Sequence, residues 1–560
     1  MSTTRLAASV IGISVFLCVD AALAAPLPPA GVKGALEREY IGLLPAENFH
    51  ISSGKCTDCA TIKQGLWYFQ SELLALPKAG ETVASFSPKN NRTDDVSQWA
   101  AGDAARHLEY PSLVWLGSPQ IVENAEILPG GKQVKVSDGT LVDLALAPKI
   151  PTNRSYANGD TTEFFRARMV RMRGALEQRF GKPVFTARTI WPKDFALEPS
   201  KLAGAPLARP SELAALVRES GGQVPRFDTR LLWERHPGQA REWKQKPVIG
   251  IMLNGAQGDD DESLGGHFAI ATGRYDKDGE WADWAVNNFY NLDSISEKGI
   301  IAATVPMDNY LMDLNSGQQF YRPSYMLVAI LSNARTAIAY QGGVQRTFNH
   351  FYRHDFRYQH AAANCAGISL DVFDSLGWRI PRRGPTGQMK AIGAYAYVSA
   401  TDRSMESGRK IYDYLTEEQT RLYPAVAFEA AGLDLLQLVG ALPQDGRALS
   451  EYEKQLKNDV EAIVLVRIPQ VPSSRAMGSS PVFSFDEYRS RVPEDRAKWK
   501  VVPVGDRPFP PALRDGAALA TQESSDVPLP IAGLGACVVL GAFAFVRRRK
   551  PAKPRSNTPV

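Results

Sequence analysis

Apolar and polar positions alternate along the chain with two different periods. Continuous apolar runs of strand length occupy residues 246–253 and 268–271, and shorter aromatic or β-branched runs occupy 64–69 and 112–116. Runs of this length bounded by turn residues predict strands. Gly130-Gly131 and Asp138-Gly139 are turn pairs flanking a short run at 133–136, so residues 25–210 read as a mixed region containing small β-structure. Residues 281–289 alternate well enough to pair with a strand that begins at His267.

Helical spacing governs other stretches. Phe164, Met169, Met172 and Leu176 predict a helix over 161–180, closed by Gly181-Lys182-Pro183. Apolar positions three and four apart predict helices over 416–442 and 451–464, and shorter ones are expected over 211–219 and 325–339. After Cys365 the apolar residues Ile368, Val372, Phe373 and Leu376 keep this spacing and stop at Gly377, so the cysteine opens a buried helix. Strands and helices segregated in this way predict an α+β class.

The two ends carry export signals. Arg5, an apolar run to Val19 and the small-residue site Ala22-Leu23-Ala24 predict a signal peptide over 1–24. Val527-Pro528-Leu529-Pro530 introduces an uncharged segment ending at Val546, and Arg547, Arg548, Arg549 and Lys550 follow at once. That length suffices for a bilayer core and the basic cluster stays cytoplasmic, which predicts one transmembrane helix over 527–546 and a tail over 547–560. The expected organisation is then an N-terminal mixed region over 25–210, a candidate catalytic domain over 220–400, a helical and proline-rich scaffold over 401–513, and a stalk over 514–526. The body is expected outside the cytoplasm, in the periplasm or at the cell surface, anchored in the inner membrane of a bacterial envelope.

Composition narrows the function. With 560 residues, 44% hydrophobic and 22% charged, the chain has enough material for two or three globular domains. Six positive charges in the tail account for more than the formal +4 and leave a body near −2, which argues against a nucleic-acid partner. Of five cysteines, Cys18 lies in the leader and Cys537 in the predicted span. Cys56 and Cys59 form a C-x-x-C pair, read first as a structural disulfide, then as a redox dithiol, and last as half a metal site, because no second pair exists and only His50 stands nearby. Cys365 is the odd thiol. At a helix N-terminus its pKa is expected to be lowered, although a cysteine before an apolar helix is also an ordinary packing residue.

Gly265-Gly266-His267-Phe268-Ala269-Ile270, followed later by Asn364-Cys365-Ala366-Gly367-Ile368-Ser369-Leu370, resembles the circularly permuted papain-like enzymes. That group includes lecithin retinol acyltransferase relatives and permuted members of the NlpC superfamily, and in it histidine precedes cysteine. The resemblance covers about residues 245–385. It implies a small antiparallel sheet packed on the Cys-bearing helix and a cysteine hydrolase or acyltransferase, with Cys365 as nucleophile and His267 as base. A third polar residue would orient the imidazole: Asn287 first, Asp283 second and Asn288 third. His354 and His360 compete for the base role. No metal or organic cofactor is implied, and the substrate would be a peptide, peptidoglycan or a lipid ester. The competing class is a non-catalytic envelope binding or assembly protein with a degenerate papain-like fold. The C-terminal end resembles the bacterial sorting tails of the VPLP or PEP type, except that residues 551–560 follow the arginines.

Overall fold

In the computed structural model the apolar runs over 246–253 and 268–271 join one eleven-stranded sheet, and residues between 120 and 192 close a five-stranded barrel. The chain is mixed α+β. The structure describes residues 92–101, 114–117, 120–147, 157–218, 226–255, 265–276, 278–290, 303–314, 317–352, 358, 363–474, 480–492 and 495, with the short strands His50–Ser53 and Leu73–Leu76. Among these residues no helix is long and apolar enough to cross a membrane. The expected signal peptide, the Cys56/Cys59 pair, the stalk, the span over 527–546 and the basic tail lie outside the described residues, as do His354 and His360.

Across its functional half the sheet runs Ala303–Pro306, Ala285–Asn288, His267–Arg274, Pro247–Asn254, Ser324–Leu331, Val460–Ile468, Asp228–Glu234, each pair antiparallel. Pro247–Asn254 and Ser324–Leu331 are buried at every position, which explains why they read as unbroken apolar runs. One face carries helices. Thr272 Oγ1 donates to Gln341 Oε1 of the helix Arg335–Tyr352 at 2.8 Å, and Phe289 stacks on Phe348 of that helix at 4.3 Å. Leu327 presses on Gly432 of the helix Pro424–Leu438, where a Cβ would stand 2.3 Å away. On the opposite face lie the short helix Met307–Met312 and, beyond it, the barrel.

Charge joins the barrel to that short helix. Arg171 and Arg173 of the barrel strand Val170–Arg179 reach the buried Asp308 at 3.1 and 2.8 Å. Arg188 pairs with Asp313 just past the helix. Burial alone would lower the Arg171 pKa, but Asp283, Asp308 and Glu123 outweigh it and hold the guanidinium charged. Buried cations need this degree of pairing because desolvation of each ion costs several kcal/mol.

Three predicted helices are partly strand. The helix expected over 161–180 stops at Arg166, and Val170–Arg179 pairs with Lys182–Pro192 through a turn in which Phe180 and Gly181 have φ of 53° and 76°. Two consecutive left-handed residues are the tight hairpin turn that matches strand twist, so Gly181-Lys182 reverses a strand rather than ending a helix. The stretch over 325–339 divides into the strand Ser324–Leu331 and the start of the helix Arg335–Tyr352. The stretch over 451–464 divides into the helix Glu451–Asp459, opened by a Ser450/Glu453 capping box, and the strand Val460–Ile468. Short apolar runs fit either period, and here the neighbouring strands decide. The region over 401–513, expected to be scaffold, thus supplies a strand inside the sheet.

The chain forms two compact units, residues 1–383 with 419–518 and residues 384–418 with 519–560. The boundary expected between residues 210 and 220 falls inside the first. In the second, helices Gln388–Asp402 and Met405–Thr416 form a hairpin turned by Arg403 at φ 52°, with Ser404 capping the second helix.

Candidate functional site

The helix Cys365–Leu376 begins and ends where its sequence dictates. The Asn364 side chain accepts from Gly367 N–H at 2.9 Å, a cap of about 1 kcal/mol, and Gly377 takes φ 108° at the other end. Every residue from Cys365 to Phe373 is buried. Phe373 lies between Tyr340 and Trp378, whose indole donates to Asp434 at 2.6 Å, so the far end of the helix is tied down. The near end points the thiol at the His267 strand.

Cys365 Sγ accepts from the main-chain N–H of Phe268, the residue after His267. The two sequence motifs therefore meet. The contact is with the backbone of the strand, and the His267 imidazole stacks on Tyr290 at 4.3 Å and 6°, with Tyr310 at 6.2 Å. Gly266 sets the approach to the strand at φ 77°, where a Cβ would stand 2.9 Å from both Asn254 O and the Pro481 ring.

Strand alternation sorts the candidates for the third residue. Ile270 is the direct partner of Asn287, so Asn287 shares the face of Ile270, three positions from His267 and on the opposite side of the sheet. Asn287 is fully buried, accepts from Thr304 Oγ1 at 2.8 Å and donates to Ile270 O at 3.4 Å. These bonds brace the sheet, and the place beside the imidazole expected for Asn287 goes to other residues. Asp283 is held by Arg171 and Arg173 at 2.7 and 2.9 Å and belongs to the barrel junction. Asn288, next along from Asn287, falls on the His267 face and is 1% exposed.

Asn254 is the residue that sequence reasoning missed. It is the cross-strand partner of His267, fully buried, with Nδ2 donating to the Tyr310 hydroxyl and Oδ1 without a partner. Directly opposed residues on neighbouring strands have Cβ atoms about 5 Å apart, within reach of an amide and an imidazole. The only sequence signal was its place at the end of the apolar run over 246–253. Tyr310 and Tyr290 were likewise unmarked by any motif.

The thiol overturns the expected lowering of its pKa. Burial pushes Cys365 up to about 11, although hydrogen bonds from Phe268, Tyr358 and the first-turn N–H groups of Ala366 and Cys365 all favour the thiolate. Desolvation of a fully buried sulfur exceeds what a helix N-terminus returns. Tyr310 is also pushed up, first by burial and then by the neighbouring charge of a Cys365 thiolate. The Cys365 main-chain N–H donates to the Tyr358 hydroxyl at 3.4 Å. Among the described residues no group of three or more His, Cys, Asp or Glu is placed to hold a metal ion.

No family model, no curated protein and no solved structure matches the chain.

Proposed function

We propose that the protein is an exported, membrane-anchored cysteine hydrolase or acyltransferase acting on an amide or ester outside the cytoplasm. The observation that carries this reading is the contact of Cys365 Sγ with the strand at Phe268, immediately beside His267. In the reaction His267 takes the thiol proton as Cys365 attacks the carbonyl carbon. The tetrahedral oxyanion is held by the Cys365 main-chain N–H once the substrate oxygen displaces the Tyr358 hydroxyl. Collapse breaks the acyl–nitrogen or acyl–oxygen bond, and the imidazolium returns the proton to the leaving group. Water, or another acceptor, then attacks the thioester with His267 as base and frees the thiol. Asn254, on the His267 face, is the positioning residue for the imidazole in place of Asn287.

The second reading is a non-catalytic envelope binding or assembly protein in which the thiol is a packing group. Its support is the complete burial of Cys365 and a pKa of about 11.

p-Nitrophenyl acetate distinguishes the two. A hydrolase releases a burst of nitrophenol equal to the protein present, with the acetyl group mapped to Cys365, and loses the burst in Cys365→Ser and His267→Ala. Absence of any burst, with Cys365 alkylated only after unfolding, establishes the second reading instead. Protease added to intact spheroplasts tests the location, since an exported body is degraded and a cytoplasmic one survives.

A further inference from the structure

We infer that the outward face of the helix Gln388–Asp402 is a lipid-docking surface, an inference that rests on the membrane-anchored reading and names a second place at which the protein meets the bilayer. Four of the eight large apolar side chains left exposed among the described residues belong to this one hairpin, so the patch is local rather than scattered. Met389, Ile392, Tyr397 and Met405 are 68%, 46%, 67% and 66% exposed. The first helix carries no charge from Ala391 to Thr401. Met389, Ile392, Ala396 and Ala400 recur at three- and four-residue spacing, which puts them on one side, and all four are exposed, with Tyr397 beside them. The opposite side is the one that packs. Ala391 is buried, a Cβ on Gly408 of the second helix would stand 2.8 Å from Tyr395 O, and Tyr395 meets Tyr412 edge to face at 6.4 Å.

A helix at a water surface turns its apolar stripe inward and its charges outward. The helix Met405–Thr416 does so: Lys410 pairs with Glu406 at 2.6 Å and Arg409 with Asp413 at 2.7 Å on its exposed side, while Gly408 and Leu415 are buried. Gln388–Asp402 presents an uncharged face instead, so one helix of the hairpin suits water and the other a less polar medium. Its 15 residues make about 22 Å of helix, too short for a hydrocarbon core of about 30 Å, so it lies along the interface and does not cross it. Tyrosine belongs at that depth, because its ring is apolar and its hydroxyl stays wet. A second copy of the chain is the weaker occupant: the face offers on the order of a few hundred Å², against roughly 800 Å² per partner in a stable dimer. The sequence brings the bilayer within reach. From Asp495 the chain needs at most roughly 120 Å, fully extended, to reach the uncharged segment over 531–546 and the basic cluster after it, which keeps the protein at high local concentration beside lipid.

Full-length protein and its Ile392→Glu/Tyr397→Glu variant are reconstituted into vesicles of phosphatidylethanolamine and phosphatidylglycerol that carry a diazirine-tailed phosphatidylcholine. After irradiation and digestion, lipid adducts are mapped by mass spectrometry. Near-UV circular dichroism verifies that each protein remains folded, and if the glutamate variant does not fold, Ile392→Ser/Tyr397→Ser takes its place. Peptides from 388–402 are expected to carry about tenfold more adduct than those from 409–416 or from the barrel around the exposed Met169. The variant is expected to lose about tenfold at 388–402 alone, the effect of withholding two apolar side chains from lipid. Labelling of 388–402 no higher than around Met169, or unchanged in the folded variant, overturns the docking surface. Cross-links between the 388–402 peptides of two chains without lipid adducts overturn it in favour of a dimer. The anchored reading fails separately: adducts at 388–402 with none within 531–546 leave the docking surface standing without the span.

Discussion

Cys365 Sγ accepts a hydrogen bond from Phe268 N–H, so the nucleophile candidate is anchored to the backbone of the strand that carries the base candidate. The helix start and the strand start are brought together by packing of the helix layer on the sheet. The imidazole stacks on Tyr290 and lies beside Tyr310, which also neighbours the thiol.

The raised thiol pKa predicts a specific pH dependence of stability. A thiol titrates near 8.5 when unfolded and at about 11 in the folded chain, so the folded state keeps the proton more tightly. The resulting stability is present below about pH 8.5 and is lost as pH rises through about 11. Urea unfolding across that window should show the wild type losing about 3 kcal/mol more than Cys365→Ser, whose hydroxyl does not titrate there. Parallel pH curves for the two proteins would mean that the thiol is solvated.

Asn254 and Asn287 should separate positioning from bracing. Asn287→Ala removes the partner of Thr304 Oγ1 and should lower stability by about 1–3 kcal/mol while leaving the acyl burst and the His267 imidazole pKa unchanged. Asn254→Ala should reduce the burst rate and change the His267 titration seen by NMR, and Asn254→Asp should raise that imidazole pKa through the added carboxylate. Equal kinetic effects of the two alanine variants would remove Asn254 from the positioning role.

The barrel junction should be intolerant of neutralisation. Asp308→Asn leaves Arg171 and Arg173 facing each other with one buried countercharge fewer, and should cost about 3–5 kcal/mol in denaturant unfolding. Because Arg171 and Asp308 are buried, raising the salt should not recover the loss. A loss below about 1 kcal/mol, or recovery in salt, would show that the pair behaves as a surface bridge.

Local signals in the chain determined the pieces whose physics is local. Asn364 and Gly377 bracket the Cys365 helix because a side-chain acceptor and a left-handed glycine satisfy its ends wherever it packs. The apolar run after Lys246 specified a buried strand because the seven uncharged positions over 247–253 are of strand length and shorter than a helix between turns. His267 and Cys365 were legible together only through their order and resemblance, and the α+β class through alternation of periods. Tertiary structure decided the rest. It turned Val460–Ile468 and Val170–Arg179 into strands, since apolar runs that suit either period follow the partner beside them. It chose the face of every polar residue near the site, because a strand's alternation is visible in sequence but its register is not: pairing Ile270 with Asn287 removed one asparagine from the imidazole, and pairing His267 with Asn254 supplied another. It also reversed the expected thiol, because the pull of a helix N-terminus is a local property while desolvation depends on everything that covers the sulfur.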